Sequence, residues 1–273
     1  MDKKQQKLVA LRKYIKSLGS AAIAFSGGTD SSFLLKIAHD ELDRNVLAIT
    51  SVSCFIPRQE AEEAIRFCRN YGIRHIIIRP DILSVPGVAA NPPDRCYLCK
   101  KALFTMITGE AKKACLAAVC DGSNADDAGD YRPGMRALAE LGIKSPLKEC
   151  GITKEEVRSF SKKIGLSVWN KPPAACLASR VPYNEQLTDI KFAMAEKAEL
   201  FLRNLGMTQL RVRIHCGNIA RIEAVPQEMP IIMQKKAEIS LKFKEIGFAY
   251  TSLDLQGYRT GSLNEILPKE TRN

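Results

Sequence analysis

In the first part of the chain, short apolar runs alternate with amphipathic stretches. Residues 3–17 carry apolar positions at helical spacing and predict a helix. Ala21-Ala22-Ile23-Ala24-Phe25 reads as a buried strand, and Phe33-Leu34-Leu35-Lys36-Ile37-Ala38 as the helix after it. The alternation then repeats. Val46–Thr50 predicts a second strand. A helix over 57–71 begins at Pro57, a favoured first-turn residue, and stops at Gly72; His75–Ile78 is a third strand. After the proline-rich link Asn91-Pro92-Pro93 a helix opens near Asp94, and Leu116–Cys120 is a fourth strand. Thr153 with Glu156 three residues on forms a capping box for a helix over 153–164. Strands alternating with helices predict an α/β fold built on a doubly wound parallel sheet.

The pattern changes after residue 180. A long helix is expected over 185–205. Gln209–Ile214 alternates apolar and polar, as a half-buried strand does, and Ala220–Val225 continues it. Residues 227–246 read as helical and Phe248–Leu253 as a last strand. We therefore expect two domains, an α/β domain over 1–182 and a small α+β domain over 183–273, joined at Val181-Pro182-Tyr183-Asn184.

Composition narrows the class. A chain of 273 residues with 45% hydrophobic and 26% charged positions suits a globular protein with a substantial core. No apolar run reaches membrane-spanning length, and Met1–Gln6 lacks an apolar signal core, so a cytoplasmic location is expected. The nine cysteines are scattered and odd in number, which favours thiols over a disulfide framework. The net charge of +11 favours anionic partners. Lys and Arg are spread along the whole chain without interleaved aromatics, so phosphorylated small molecules are the better expectation than nucleic acid.

The densest chemical signal is Ser26-Gly27-Gly28-Thr29-Asp30-Ser31, at the joint between the first strand and the helix after it. Two glycines permit a sharp turn and close approach to a ligand. The helix start offers free N–H groups and the positive end of its dipole, with Ser31 and Ser32 adding hydroxyls. The spelling is neither a Walker loop nor a dinucleotide fingerprint. It resembles the SGGxDS pyrophosphate loop of enzymes that split ATP into AMP and pyrophosphate. In a doubly wound sheet the ligand sits beyond the carboxyl ends of the strands. Ser51-Val52-Ser53 and the loop Asp121–Asp127 fall there with the glycine loop. Ser26, Gly27, Gly28, Asp30, Ser31, Ser32, Ser51, Gly122 and Asp127 are thus the expected ATP contacts. Asp30, Asp126 and Asp127 are the better Mg²⁺ candidates.

Other candidates lie further along. Cys96 and Cys99 form a C-x-x-C pair, suited to a metal or redox exchange but without a second pair to complete a zinc site. Cys176 lies among prolines and small residues, with Lys171 and Arg180 near in sequence to stabilise a thiolate, the competent nucleophile toward an activated carbonyl. Arg211 and Arg213 alternate along one strand and so share a face, which suits bidentate phosphate recognition. Glu223 and Asp254 could hold Mg²⁺ or form salt bridges. His39, His75 and His215 are unclustered.

Together with the glycine loop, the segments Asn91–Lys100, Gly122–Asp127, Tyr131-Arg132-Pro133-Gly134 and Ala175-Cys176-Leu177-Ala178-Ser179-Arg180 make the whole chain resemble the LarE family of ATP-dependent sulfur transferases. The resemblance implies the following chemistry. ATP adenylates a carboxylate of pyridinium-3,5-biscarboxylic acid mononucleotide. Cys176 attacks the acyl adenylate, and cleavage of its Cβ–S bond leaves a thiocarboxylate and dehydroalanine. The product serves the nickel-pincer cofactor of lactate racemase. Arg211, Arg213 and Arg180 would hold the substrate phosphate, and a homo-oligomer, of hexamer type, is implied. In some relatives a 4Fe–4S cluster on three cysteines is the sulfur donor, and Cys96, Cys99 and Cys176 supply that number of ligands here. A tRNA thiolase is the alternative class; for it the sequence lacks a recognisable RNA-binding appendage and further metal-type cysteine pairs. An amide synthetase lacks an ammonia source.

Overall fold

The computed structural model describes residues 2–129, 133–172, 175–259 and 261–267. The chain divides into two compact units. The first is Met1–Ile82 with Cys96–Ala174, and the second is Leu83–Arg95 with Ala175–Asn273.

The first unit is built on four parallel strands, β1 (Ala21–Ala24), β2 (Val46–Ser51), β3 (His75–Ile78) and β4 (Ala118–Cys120), in the order β3-β2-β1-β4. Helices α1 (Lys3–Ser17), α2 (Thr29–Leu42), α3 (Arg58–Asn70), α4 (Arg95–Lys113), α5 (Pro133–Glu140), α6 (Pro146–Glu149) and α7 (Lys154–Lys163) surround it. Successive strand residues face opposite sides. Ala21, Ile23, Val46 and Ala48 accordingly enter a core with α1, α2, α3 and α7. Ala22, Leu47 and Ile49 enter a second core with Phe104 and Ile107 of α4 and Leu138 of α5. The strand order reverses between β2 and β4, on either side of β1, and this switch point is where such sheets bind ligands. The four strands fall within a residue or two of the expected positions. The capping box of α7 is present in full, with Glu156 N donating to Thr153 and Thr153 N to Glu156. Pro57 is the cap of α3 and not its first residue. Helices α5 and α6 escaped the sequence reading because they are short and start at prolines inside what reads as loop.

The second unit carries α8 (Asp189–Asn204), β5 (Leu210–His215), β6 (Ile219–Ala224), α9 (Met229–Gln234), α10 (Lys236–Ile246) and β7 (Tyr250–Leu253). β6 pairs antiparallel with β5 and parallel with β7. Leu210, Val212, Ala220 and Ile222 pack against Ala198 and Leu202 of α8 and Phe243 of α10. Two expectations need correction. The helix expected over 227–246 is two helices, because Lys235 leaves helical geometry between them. β5 is not half-buried, since Arg211 and Arg213 are only 8% and 5% exposed. Their face is covered by the turn at Leu177–Arg180 and by Ser262, so polar residues in alternation mark a buried ionic layer and not solvent.

Candidate active site

In the first unit the glycine loop joins β1 to α2. Gly27 has φ +74, the left-handed region that favours glycine, and a Cβ there would lie 3.2 Å from the Cβ of Ala64 on α3. Gly28 is extended and caps α2 without a side-chain bond. The loop folds its own serines inward. Ser26 N donates to Ser31 Oγ (3.3 Å), the two hydroxyls are 3.0 Å apart, and Gly28 N points to Ser26 Oγ (3.4 Å).

The loop after β4 lies against the start of α2. A Cβ on Gly122 would sit 3.0 Å from Ser31 N, so this glycine is required by close backbone approach. Asp121 accepts the hydroxyls of Ser123 and Ser145 (the latter 2.6 Å), Asp127 Oδ2 accepts Asn124 N (2.9 Å), and Asp126 accepts Lys154 N (2.8 Å). Asp30 is ion-paired with Lys154 and faces Asn124 Nδ2 (3.4 Å). A cavity of about 310 Å³ opens here. Ser26, Gly28, Asp30, Ser31, Ser51, Gly122 and Asp127 line its polar side, with Lys100; Ile49, Leu103, Phe104 and Ile107 line an apolar side. Seven of the nine expected ATP contacts thus share one cavity. Gly27 shapes the loop from behind, and Ser32 is fully buried, away from the lining.

In the second unit Cys176 is exposed and caps the turn Leu177–Arg180. The turn is pinned through its carbonyls. Ser179 N and Oγ and Arg180 Nη1 all donate to Cys176 O (2.9, 2.7 and 3.3 Å), and Arg180 Nη1 also reaches Ala175 O (3.1 Å). Arg180 is 2% exposed and forks onto Glu199 at 2.7 and 2.9 Å. Arg95 donates to Ala178 O (3.2 Å) and Asn91 Oδ1 (2.6 Å), and Asn91 Nδ2 holds Val181 O and Pro182 O. Asn91 and Arg95 of the proline-rich segment are therefore the clamp of the Cys176 turn. The sequence marked that segment but not this role. Arg213 donates to Ser179 O, Glu223 Oε2 (2.8 Å) and Ser262 Oγ (2.9 Å). Arg211 lies over the Tyr258 ring at 5.4 Å, and its guanidinium is pushed down by burial first and by Arg180 next. Glu223 also pairs with Arg221 (3.0 Å), which pairs with Asp254 (3.5 Å). Both acids are thus spent on salt bridges. Buried Arg180, Arg211 and Arg213 face buried Glu199 and Glu223, which leaves a cationic excess suited to an anion.

The two cations expected to stabilise the Cys176 thiolate, Arg180 and Lys171, hold the following partners. Arg180 spends its donors on Glu199 and main-chain carbonyls. Lys171 is held by Glu60 and Glu63, at 2.6 Å each, and by Gly27 O (3.2 Å) in the first unit. Of the other cysteines, Cys68 and Cys120 are pushed up to about 12, by burial first, and are no nucleophiles at neutral pH. Cys96 is exposed and Cys99 half-buried on the first turn of α4. Among the described residues no three His, Cys, Asp or Glu side chains gather where they could hold a metal ion. Also among them, no helix is long and apolar enough to cross a membrane. Tyr131, Arg132, Pro173 and Ala174 of the singled-out segments lie outside the described residues.

A parallel α/β sheet with an SGGxDS loop at its switch point defines a pyrophosphate-loop-type fold. No family model matches the chain. It is 41% identical over 267 residues to an uncharacterized protein of Synechocystis sp., covering 97% of this chain and 99% of that one. It is 36% identical over 256 residues to the pyridinium-3,5-bisthiocarboxylic acid mononucleotide synthase of Lactiplantibacillus plantarum, covering 93% and 92%. A weaker likeness, 25% over 188 residues and covering 63% and 59%, is to a glutamine-hydrolyzing GMP synthase component of Thermoplasma volcanium. The chain belongs to the pyridinium-3,5-bisthiocarboxylic acid mononucleotide synthase family, LarE.

Proposed function

We propose that the protein is an ATP-dependent sulfur transferase that adenylates a carboxylate of pyridinium-3,5-biscarboxylic acid mononucleotide and replaces its oxygen with the sulfur of Cys176, in nickel-pincer cofactor synthesis. The observation that carries this reading is the pairing, in one family member, of a serine- and glycine-lined anion cradle with an exposed cysteine on a pinned turn. The apolar wall of Ile49, Leu103, Phe104 and Ile107 suits a purine, and the loop N–H groups and α2 N-terminus suit phosphates.

The chemistry divides into three steps. The substrate carboxylate attacks the α-phosphorus of ATP, and pyrophosphate leaves. The thiolate of Cys176 adds to the acyl carbon, and AMP leaves. Loss of the Cys176 Cα proton then breaks the Cβ–S bond, whose electron pair departs with the thiocarboxylate and leaves dehydroalanine. Arg211 and Arg213 are the phosphate anchors this reading offers, Arg211 with a bond to Leu210 O (2.7 Å) and Arg213 with bonds to Glu223, Ser262 and Ser179. Mg²⁺ would neutralise triphosphate charge. Asp30 and Asp126 are the carboxylates offered for it, and both are engaged by Lys154, Asp30 by its ammonium and Asp126 by its main-chain N–H.

The deciding measurement is intact mass after one turnover. Loss of one H₂S per product, with pyrophosphate and AMP formed, is expected, and Cys176→Ala should make pyrophosphate but no thiocarboxylate. Stoichiometric iron with Cys176 intact after turnover would establish a cluster donor and overturn the sacrificial route. Formation of ADP and phosphate would overturn the ATP assignment.

A further inference from the structure

Lys171 has no place in the chemistry above, yet it is one of the more enclosed lysines of the chain. Its side chain is 13% exposed, and its ammonium is held by Glu60 and Glu63 at 2.6 Å each. The two acids lie three residues apart on the first turns of α3, and so on one face. The third partner is a main-chain atom, Gly27 O at 3.2 Å. A second bond ties the same segment to the loop: Thr29 Oγ1 donates to Val168 O at 2.9 Å.

The bond to Gly27 O has a directional consequence. The 27–28 peptide is trans, and in a trans peptide the carbonyl and the following N–H point in opposite directions. Holding the Gly27 oxygen on the Lys171 side aims Gly28 N–H the other way. Gly28 lines the cavity, and Lys171, Glu60 and Glu63 do not. A flip of this peptide would change ψ of Gly27 and φ of Gly28, and glycine at 28 can take either sign of φ with little penalty. A flipped peptide would present a carbonyl oxygen, not an N–H, to an anion.

We infer that Lys171 is a positioning residue for the anion cradle: caged by Glu60 and Glu63, it fixes the Gly27–Gly28 peptide so that the Gly28 N–H stays on the cavity side, beside Ser26 Oγ, where the pyrophosphate portion of ATP can take it over. This rests on the ATP reading above. The work it saves is reorientation on binding. Its benefit falls on the β- and γ-phosphates and not on the base.

The test compares ATP with AMP. AMP uses the same apolar wall but lacks the pyrophosphate group, so the ratio of the two affinities isolates the cradle. Calorimetric titration of the full chain with each nucleotide is expected to show a loss of about tenfold or more in the ATP-to-AMP ratio for Lys171→Met. Lys171→Arg, which keeps charge and donors, should recover most of it. Lys171→Gln keeps a weaker donor to the carbonyl without the ion pairs. It should shift the ratio the same way by less, and it serves where the Met variant does not fold. An unchanged ratio in the Met and Gln variants, whether both affinities persist or both fall together, overturns the proposal. A parent protein that binds neither ATP nor pyrophosphate removes the ATP reading itself, a result read before any variant is made.

Discussion

Glu199 is the side chain on which the Cys176 turn depends, and its replacement gives the sharpest stability prediction. The carboxylate is 3% exposed. It receives Arg180 Nε and Nη2 at 2.7 and 2.9 Å and Val212 N of the β5 edge at 3.1 Å. Glu199→Met leaves the Arg180 guanidinium buried without its counter-ion. Breaking a buried pair from one side costs about 3–5 kcal/mol, because the remaining charge is uncompensated. With a urea dependence of roughly 2 kcal/mol per molar, the unfolding midpoint should fall by about 2 M. Arg180→Met should cost a similar amount. The double variant should cost less than the sum by about 2 kcal/mol or more, since neither charge is then stranded. Far-UV circular dichroism during urea titration measures all four corners of the cycle. The pH dependence supplies a second readout. Burial raises the Glu199 carboxyl, but the charge and hydrogen bonds of Arg180 outweigh it and hold the group below its usual range. A carboxylate depressed on folding contributes stability above its unfolded value near 4.3, and that stability is lost as pH falls through the lower folded value. The parent should therefore lose stability below about pH 4 more steeply than Glu199→Met. Additive single costs, or identical slopes in acid, would refute the reasoning.

Other substitutions separate roles that the sequence left joined. Gly122→Ala places a methyl 3.0 Å from Ser31 N, so the start of α2 must give way by a few tenths of an ångström, and ATP binding in a titration should weaken, with AMP binding weakening too. Arg213→Met removes one of the two arginines paired with the fully buried Glu223 and should lower the urea midpoint. Arg211→Met should instead raise the KM for the mononucleotide, by about tenfold or more if one charge-assisted bond is lost, with a smaller midpoint change. Thr153→Ala removes the α7 capping box and should cost about 1 kcal/mol in the same unfolding experiment, without changing nucleotide affinity.

The nucleotide end of the fold was legible because its signals are local. Apolar runs gave β1 to β4, and the glycine loop with the Asp121–Asp127 loop fell at the carboxyl ends of neighbouring strands. Gly27 and Gly28 were equivalent in sequence. Only the backbone distinguishes the left-handed residue from the extended one that lines the cavity. The second unit was harder to read. Arg211 and Arg213 look like a solvated strand face until the turn at 177–180 and Ser262 cover them. Glu199, in mid-helix among other charges, gave no sign that it alone would be buried against Arg180. Lys171 is close to Cys176 in sequence, but its partners are Glu60 and Glu63 of α3 and Gly27, the first and last of them 111 and 144 positions away.

The bonds that hold the Cys176 turn terminate on carbonyl oxygens, those of Ala175, Cys176, Ala178, Ser179, Val181 and Pro182. All of these oxygens belong to the main chain and none to the side chain at 176. On the proposed chemistry the exhausted molecule therefore keeps the mount after the part is gone, with its nucleotide cavity and its arginine layer intact. Such a molecule is a decoy: it competes with fresh enzyme for ATP and for the mononucleotide. Product yield in a closed reaction should then level off below one equivalent when substrate is scarce, and the removal of spent protein becomes a determinant of flux.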